Sequence, residues 1–310
     1  MSRSQNRRDV LKLGGLGAAA GVLAGLGAGA ASLLSPAQAY AQAAPTSLLR
    51  TVLDRKKLIV GTGSTNAPWH FEDEKGQLVG MDISMARILA QGLFDDPTKV
   101  EFVKQEPAAR IPNITTGKVD IVIQFMTVTA QRAQLVAFSR PYYLEGVALL
   151  TSTKGKLKTF KQLVDAGKAS RASVLQNVFA EKMVRAALPQ AQVMQLDTEA
   201  NAIQALDSGR SDTAVIDLST VRWLVKRNPK AYLDAGFSYW PQIYSAAMRQ
   251  GDPDWLHWVN TAFAVAMFAT EGDLYDKGLE DYFGQKPPVR KPGFPPISTR
   301  RTPDTADGSR

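Results

Sequence analysis

Cysteine is absent from the 310 residues, and only two histidines, His70 and His257, are present. The first absence excludes a disulfide framework, a thiolate nucleophile and a lipid-anchoring cysteine. The second leaves too few imidazoles for a histidine-based metal cluster or a Ser-His-Asp relay. Neither a metal nor a cofactor is therefore expected. A phosphate loop is also missing, because no G-K-[ST] follows the glycines at Gly61 and Gly63, and no dinucleotide fingerprint occurs. The net charge is +8, but residues 1–39 carry +3 and residues 285–310 carry +4, which leaves +1 for the body. A body so nearly neutral gives no electrostatic footprint for nucleic acid, and no such partner is expected.

The chain ends differ from the body. Arg7-Arg8 precede Val10-Leu11-Lys12, an uncharged Gly/Ala/Leu run extends from Leu13 to Leu34, and Ala37-Gln38-Ala39 and Ala41-Gln42-Ala43 both fit a small-residue cleavage site. About twenty apolar residues can also span a bilayer, so a membrane anchor competes. The dominance of Gly and Ala and the cleavage sites favour a removed signal over residues 1–43, and the RR-x-x-L-K pattern resembles a twin-arginine (Tat) signal. Residues 286–310 are rich in proline and basic side chains and read as an extended, partly disordered tail.

The stretch from Asp120 to Tyr143, DIVIQFMTVTAQRAQLVAFSRPYY, organises the body. Ile121 to Ile123 predicts a strand buried on both faces. Thr129 is positioned to cap a helix that carries Arg132 in its first turn. A cation there opposes the helix dipole. Surrounded by hydroxyls and free N–H groups, the guanidinium fork instead makes a clamp for a carboxylate, with Thr127 and Thr129 as further donors. The plainer alternative is a surface arginine on an ordinary helix.

This segment, T-x-T-x-x-R followed by F-S-x-P-Y-Y, resembles the periplasmic amino-acid-binding proteins of ABC importers, extracellular solute-binding protein family 3, and the resemblance extends from Leu58 to Gly284. It implies an α/β fold of two lobes joined by two crossing strands, the type II periplasmic-binding-protein fold, with the ligand in the cleft between them. Lobe one would comprise residues 44–148 and 243–285, and lobe two residues 149–242. The crossings are expected at Gly146–Thr151 and Tyr244–Met248. The resemblance implies that Arg132 binds the ligand α-carboxylate, helped by Thr127, that the Phe125 carbonyl accepts from the α-ammonium, and that Asp217 binds the same ammonium. Asp217 also suits a helix cap, and the two roles are compatible.

The first pocket loop departs from the family pattern. Gly63 stands where an Asp is common, Asn66 where an aromatic stacks on the ligand, and Trp69 replaces the Phe after Pro68. Trp69 can equally serve core packing. In lobe two, Asn177 replaces the glycine of a V-x-x-G-[ST]-[ST] turn and no hydroxyl follows, which removes two carboxylate donors; asparagine tolerates the left-handed geometry such a turn uses. Asp82 suits the cap of a helix reaching Leu93. Arg110 sits in an R-I-P context resembling acidic-amino-acid binders. Facing inward with Arg132 it would favour an acidic or polar ligand, and facing outward it would be a surface residue. The implied partners are a small amino acid and an inner-membrane ABC permease, in the periplasm. The rival on the same fold is an enzyme resembling cyclohexadienyl (prephenate/arogenate) dehydratase, for which Glu145 is the nearby candidate acid; its alternative is a solvated residue beside the hinge.

Overall fold

The computed structural model describes residues 46–269, 272–285 and 290; the candidate signal and the tail, apart from Arg290, lie outside them. Ser47 caps α1 (Leu48–Arg55), and the buried apolar run of β1 (Leu58–Thr62) follows. The stretch after β1, expected to be a plain loop, folds into part of a small antiparallel sheet of β2 (Thr65–Asn66), β3 (His70–Glu72) and β4 (Leu78–Val79). Gly80, not Asp82, takes the N-cap place of α2 (Met81–Phe94), at a φ of 125°. An added Cβ there would meet the Trp69 carbonyl oxygen at 2.2 Å, so the close approach of the two segments requires glycine. Next come β5 (Val100–Lys104), α3 (Arg110–Thr115), β6 (Ile121–Val122), α4 (Ala130–Ala133) and β7 (Ala137–Phe138).

β8 (Tyr143–Ser152) leads into a second set: α5 (Phe160–Asp165), β9 (Arg171–Leu175), α6 (Ala180–Ala187), β10 (Gln192–Leu196), α7 (Glu199–Asp207), β11 (Thr213–Asp217), α8 (Leu218–Arg227) and β12 (Tyr232–Tyr244). The chain then returns through β13 (Ala247–Met248), α9 (Pro253–Phe268) and α10 (Asp273–Gly278), which continues as a π turn to Phe283. Gly284 ends it in the left-handed conformation.

Two five-stranded sheets result. The first has the order β5-β1-β6-β13-β7, with β1 parallel to β5 and β6 and with β13 antiparallel to β6 and β7. The second has the order β10-β9-β11-β8-β12, with β9 parallel to β10 and β11 and with β8 antiparallel to β11 and β12. This is the two-lobed type II fold. The crossing differs in detail from the expectation: β8 and β12 already pair at Tyr143↔Tyr244 and Leu144↔Ile243 and run on together into the second sheet. β12 is thirteen residues long and bulged between Asp234 and Ser238 and between Tyr239 and Gln242, which broke the alternation that would have revealed it.

Each sheet has its own apolar core. Trp69, Met85, Leu89, Trp255 and Phe263 pack on the first, and Val147, Leu149, Val174, Val184 and Val215 on the second. Burial of such side chains, worth roughly 1.5–3 kcal/mol each, fixes both sheets and leaves the strand ends between them to carry polar groups. Arg290 is anchored from the basic tail, donating to both oxygens of Asp276 at 2.6 and 2.7 Å and to the Met267 carbonyl.

Candidate ligand-binding cleft

β6 ends at Val122, and the chain after it turns through Phe125, whose φ is +34°. A non-glycine residue in that region needs its surroundings to hold it. Asp82 does so: the Phe125 amide donates to Asp82 Oδ2 at 2.8 Å, and the ring stacks on His70 with centroids 4.8 Å apart. His70 Nδ1 lies 2.8 Å from the same carboxylate, and the Tyr142 hydroxyl donates to its other oxygen at 2.9 Å. Asp82 is therefore the post around which the first wall is built.

That wall presents the clamp expected from the sequence. Thr129 caps α4, its side chain accepting from the Arg132 amide at 3.1 Å. The Arg132 guanidinium folds back to donate to the Thr127 carbonyl at 2.8 Å. Arg110 faces inward, buried, with its guanidinium 5.4 Å from the centre of the Phe125 ring. It donates to the carbonyls of Pro107 and Gln124 at 2.9 and 3.2 Å. Burial, then repulsion from Arg132, brings the Arg110 guanidinium down to about 9, and burial lowers Arg132 as well. Neither arginine forms an ion pair among the described residues.

The opposite wall comes from the second sheet and the crossing strand. Asp217 ends β11 and makes no side-chain cap for α8. Its carboxylate turns into the cleft instead, accepting from the Tyr244 hydroxyl at 2.5 Å and from Gln242 Nε2 at 3.4 Å. Burial, with Glu199 and Glu145 nearby, pushes its carboxyl well above the usual range. Gln242 also accepts from Thr127 Oγ1 at 3.1 Å, tying the two walls together.

Arg110, Phe125, Thr127, Arg132 and Asp217 line one cavity of about 300 Å3. Its remaining wall is largely apolar and includes Val174, Phe179, Met183 and Trp240. The two other site candidates lie elsewhere. Trp69 is fully buried in the first core rather than on the cavity wall, and its indole N–H donates to Ser219 Oγ at 3.0 Å. Asn66 lines a neighbouring cavity of about 180 Å3. Gly63 has a steric reason to be glycine: an added Cβ would lie 2.5 Å from the His70 ring, so a larger side chain forces that ring to move.

Asn177 does not use the left-handed region; its amide holds the turn by donating to the Leu175 carbonyl and accepting from the Phe179 amide. Glu145 is neither solvated nor on the cavity wall. Its carboxylate accepts from the amides of Gly146 and Ser219 and, at 2.6 Å, from Ser219 Oγ.

Sequence reasoning missed Glu199, Gln242, Tyr244 and Trp240, all on the cavity wall. Glu199 follows the cap Thr198, and an acid in the first helical turn is explained locally by the dipole, so nothing in the sequence sets it apart. Trp240 has a φ of +54° inside a bulged strand, which no residue pattern announces.

The model of the bacterial extracellular solute-binding proteins, family 3, matches residues 58–285. The chain is 30% identical over 200 residues to the glutamine-binding protein of Geobacillus stearothermophilus, covering 64% of this chain and 75% of the relative. It is 28% identical over 225 residues to the L-cystine-binding protein TcyJ of Escherichia coli (strain K12), covering 71% and 81%. Among solved structures, the ancestral amino acid-binding protein AncCDT-1, a precursor of cyclohexadienyl dehydratase, aligns with a TM-score of 0.66 at 32% identity, over 76% of this chain and 100% of that one. With two lobes, a polar cleft between them and a match that spans both, the chain belongs to the bacterial extracellular solute-binding proteins, family 3.

Proposed function

We propose that this protein captures one amino acid in its cleft and hands it to an inner-membrane ABC permease, after export through the Tat-like signal to the periplasm. One observation carries the reading: the buried Arg110 and the half-buried Arg132 on one wall and the buried Asp217 on the other line the same cavity without pairing with each other. Burying charge without a partner is costly, and an α-amino acid supplies both missing partners. Its carboxylate fits the Arg132 fork, with Thr127 alongside. Its ammonium fits Asp217, with the Phe125 carbonyl as a further acceptor. Micromolar capture needs about −8 kcal/mol, more than two charge-assisted contacts of roughly 1.5–3 kcal/mol supply. The apolar wall around Phe179 and Trp240 provides surface for the rest. Relatives named for glutamine and cystine binding support the same class of ligand.

The enzymatic alternative is the weaker one. A general acid must reach the substrate, and Glu145 is held by three donors away from the cavity.

Calorimetry with a panel of amino acids tests the proposal. Arg132→Ala should cost roughly 2–5 kcal/mol for every amino acid that binds, since a buried carboxylate loses its partner. Asp217→Asn should weaken amino acids while sparing ligands without an ammonium. Full affinity in the Arg132 variant removes that residue from the site.

A further inference from the structure

Three side chains beside the cleft are more than nine-tenths buried and unsatisfied. Glu199 is the first residue of α7, Thr220 lies in α8, and Asn66 comes across from β2 of the other lobe. Glu199 Oε1, Thr220 Oγ1 and Asn66 Nδ2 have no partner in hydrogen-bonding geometry among the described residues, although Thr220 and Asn66 stand close enough to Glu199 to favour its ionised form. Buried polar atoms without partners are rare, and each calls for an explanation. Their position supplies one. Glu199 and Phe125 form walls of both the main cavity and the smaller one, and Asn66 lines the smaller. A ligand side chain that leaves the Asp217 end of the cleft and passes Phe125 arrives at Glu199 and Asn66.

We propose that Glu199 and Asn66 form a distal subsite for the side-chain carboxamide of the ligand, so that the protein prefers a glutamine-like amino acid. The proposal rests on the zwitterion grip of Arg132 and Asp217 argued above. The chemistry follows from what the pair offers. Glu199 presents an acceptor and Asn66 a donor, and a carboxamide carries both an N–H donor and a carbonyl acceptor. A cationic side chain satisfies Glu199 and leaves Asn66 Nδ2 without a partner. A carboxylate satisfies Asn66 and sets a second acid against Glu199. Burial pushes the Glu199 carboxyl up to about 8, against the opposing effect of Thr220 and Asn66. A carboxamide suits either protonation state, since it donates to a carboxylate and accepts from a carboxyl. A cation requires Glu199 to ionise first.

The proposal replaces the acidic preference expected from two inward arginines. Arg110 already donates to two backbone carbonyls, which occupies part of its fork, and Glu199 lines the same cavity from the other lobe.

The test is calorimetry of the purified full chain, freed of co-purified ligand, with L-glutamine, L-glutamate, L-arginine and L-alanine. Wild-type protein should bind glutamine at least about tenfold more tightly than the other three, a difference of about 1.4 kcal/mol. Glu199→Leu should weaken glutamine about tenfold or more and leave alanine, which has no distal group, within about twofold. Asn66→Asp replaces a donor with an acceptor and should raise the arginine-to-glutamine affinity ratio about tenfold, which keeps the proposal testable if Glu199→Leu does not fold. Tighter binding of glutamate or arginine than of glutamine by wild type would overturn the proposal. So would equal losses of glutamine and alanine in Glu199→Leu. Arg132→Ala with unchanged affinity for alanine and glutamine would overturn the zwitterion grip instead, and leaves a distinct signature because the distal variants would still discriminate glutamine from alanine.

Discussion

Asp82 and Glu199 begin from the same description: each is a carboxylate in the first turn of a helix, and each is almost wholly buried. They differ in what surrounds them. Asp82 meets His70, the Phe125 amide and the Tyr142 hydroxyl, all within 2.9 Å. Glu199 leaves one oxygen without a partner at the junction of two cavities. Glu145, another buried acid of this region, resembles Asp82, with three donors on its carboxylate. Asp82 and Glu145, with their acceptors filled, build the wall, whereas the unfilled oxygen of Glu199 is available to a ligand. The family's chemistry is thus held by residues that look alike in sequence and are separated only by their partners.

The largest test of that contrast removes each acid in turn. Asp82→Ala strands an amide, a hydroxyl and a histidine and frees the strained turn at Phe125. It should cost roughly 3–5 kcal/mol, as for a broken buried pair, read from urea unfolding of the ligand-free protein. Glu199→Leu should cost nothing or stabilise the ligand-free protein, because an acid with an unfilled oxygen gives way to apolar surface. Comparable destabilisation by both substitutions would erase the distinction between them.

The same contrast explains what was legible in the sequence. Elements announced by short-range chemistry were readable: the buried strand opening at Ile121 and the Thr129 cap of the helix that carries Arg132. Arg132 and Asp217 were found by their place in a family pattern, and both line the cavity. Partners distant in the chain were not readable. Asp82 looked like a cap because its Tyr142 partner lies sixty residues away. Trp69 read equally as a pocket aromatic or a core residue, and the Ser219 hydroxyl that receives its N–H in the core lies 150 residues away. The three-stranded sheet of two- and three-residue strands is too short for any periodicity to show.

Acidity offers a second test, of intermediate size. The Glu199 carboxyl titrates at about 8 in the folded protein against an ordinary 4.5, with burial the chief cause. The folded state therefore holds its proton where the unfolded chain has lost it. The stability from this group is full below the unfolded value and is lost as pH rises through the folded one. Asp217 and Glu145 are raised in the same direction. Ligand-free protein should melt several degrees lower at about pH 8 than at about pH 5, at roughly 2–4 °C per kcal/mol for a chain of this size. Glu199→Gln should flatten that slope without abolishing it. An unchanged slope in this variant would show that the other two acids carry the whole effect.

The smallest effects come from the two threonine caps, which separate the grip from the distal pair. Thr129 accepts from the Arg132 amide at 3.1 Å and holds α4, the four-residue helix carrying the carboxylate clamp. Thr198 accepts from the Asn201 amide at 3.0 Å and starts α7, whose first residue is Glu199. Replacing either with Ala removes a cap worth about 0.5–2 kcal/mol, so stability alone cannot distinguish them. Binding does. α4 is too short to hold its geometry without the cap, so Thr129→Ala should weaken glutamine and alanine by the same few-fold, as expected when the shared carboxylate end is disturbed. Thr198→Ala should weaken glutamine a few-fold and leave alanine unchanged, because only a ligand with a distal group reaches Glu199. Thr129→Ser, which keeps the hydroxyl, should restore both affinities. Equal loss of alanine from both Ala variants would mean that α7 supports the common end of the ligand, and that the two walls of the cleft do not divide the work between them.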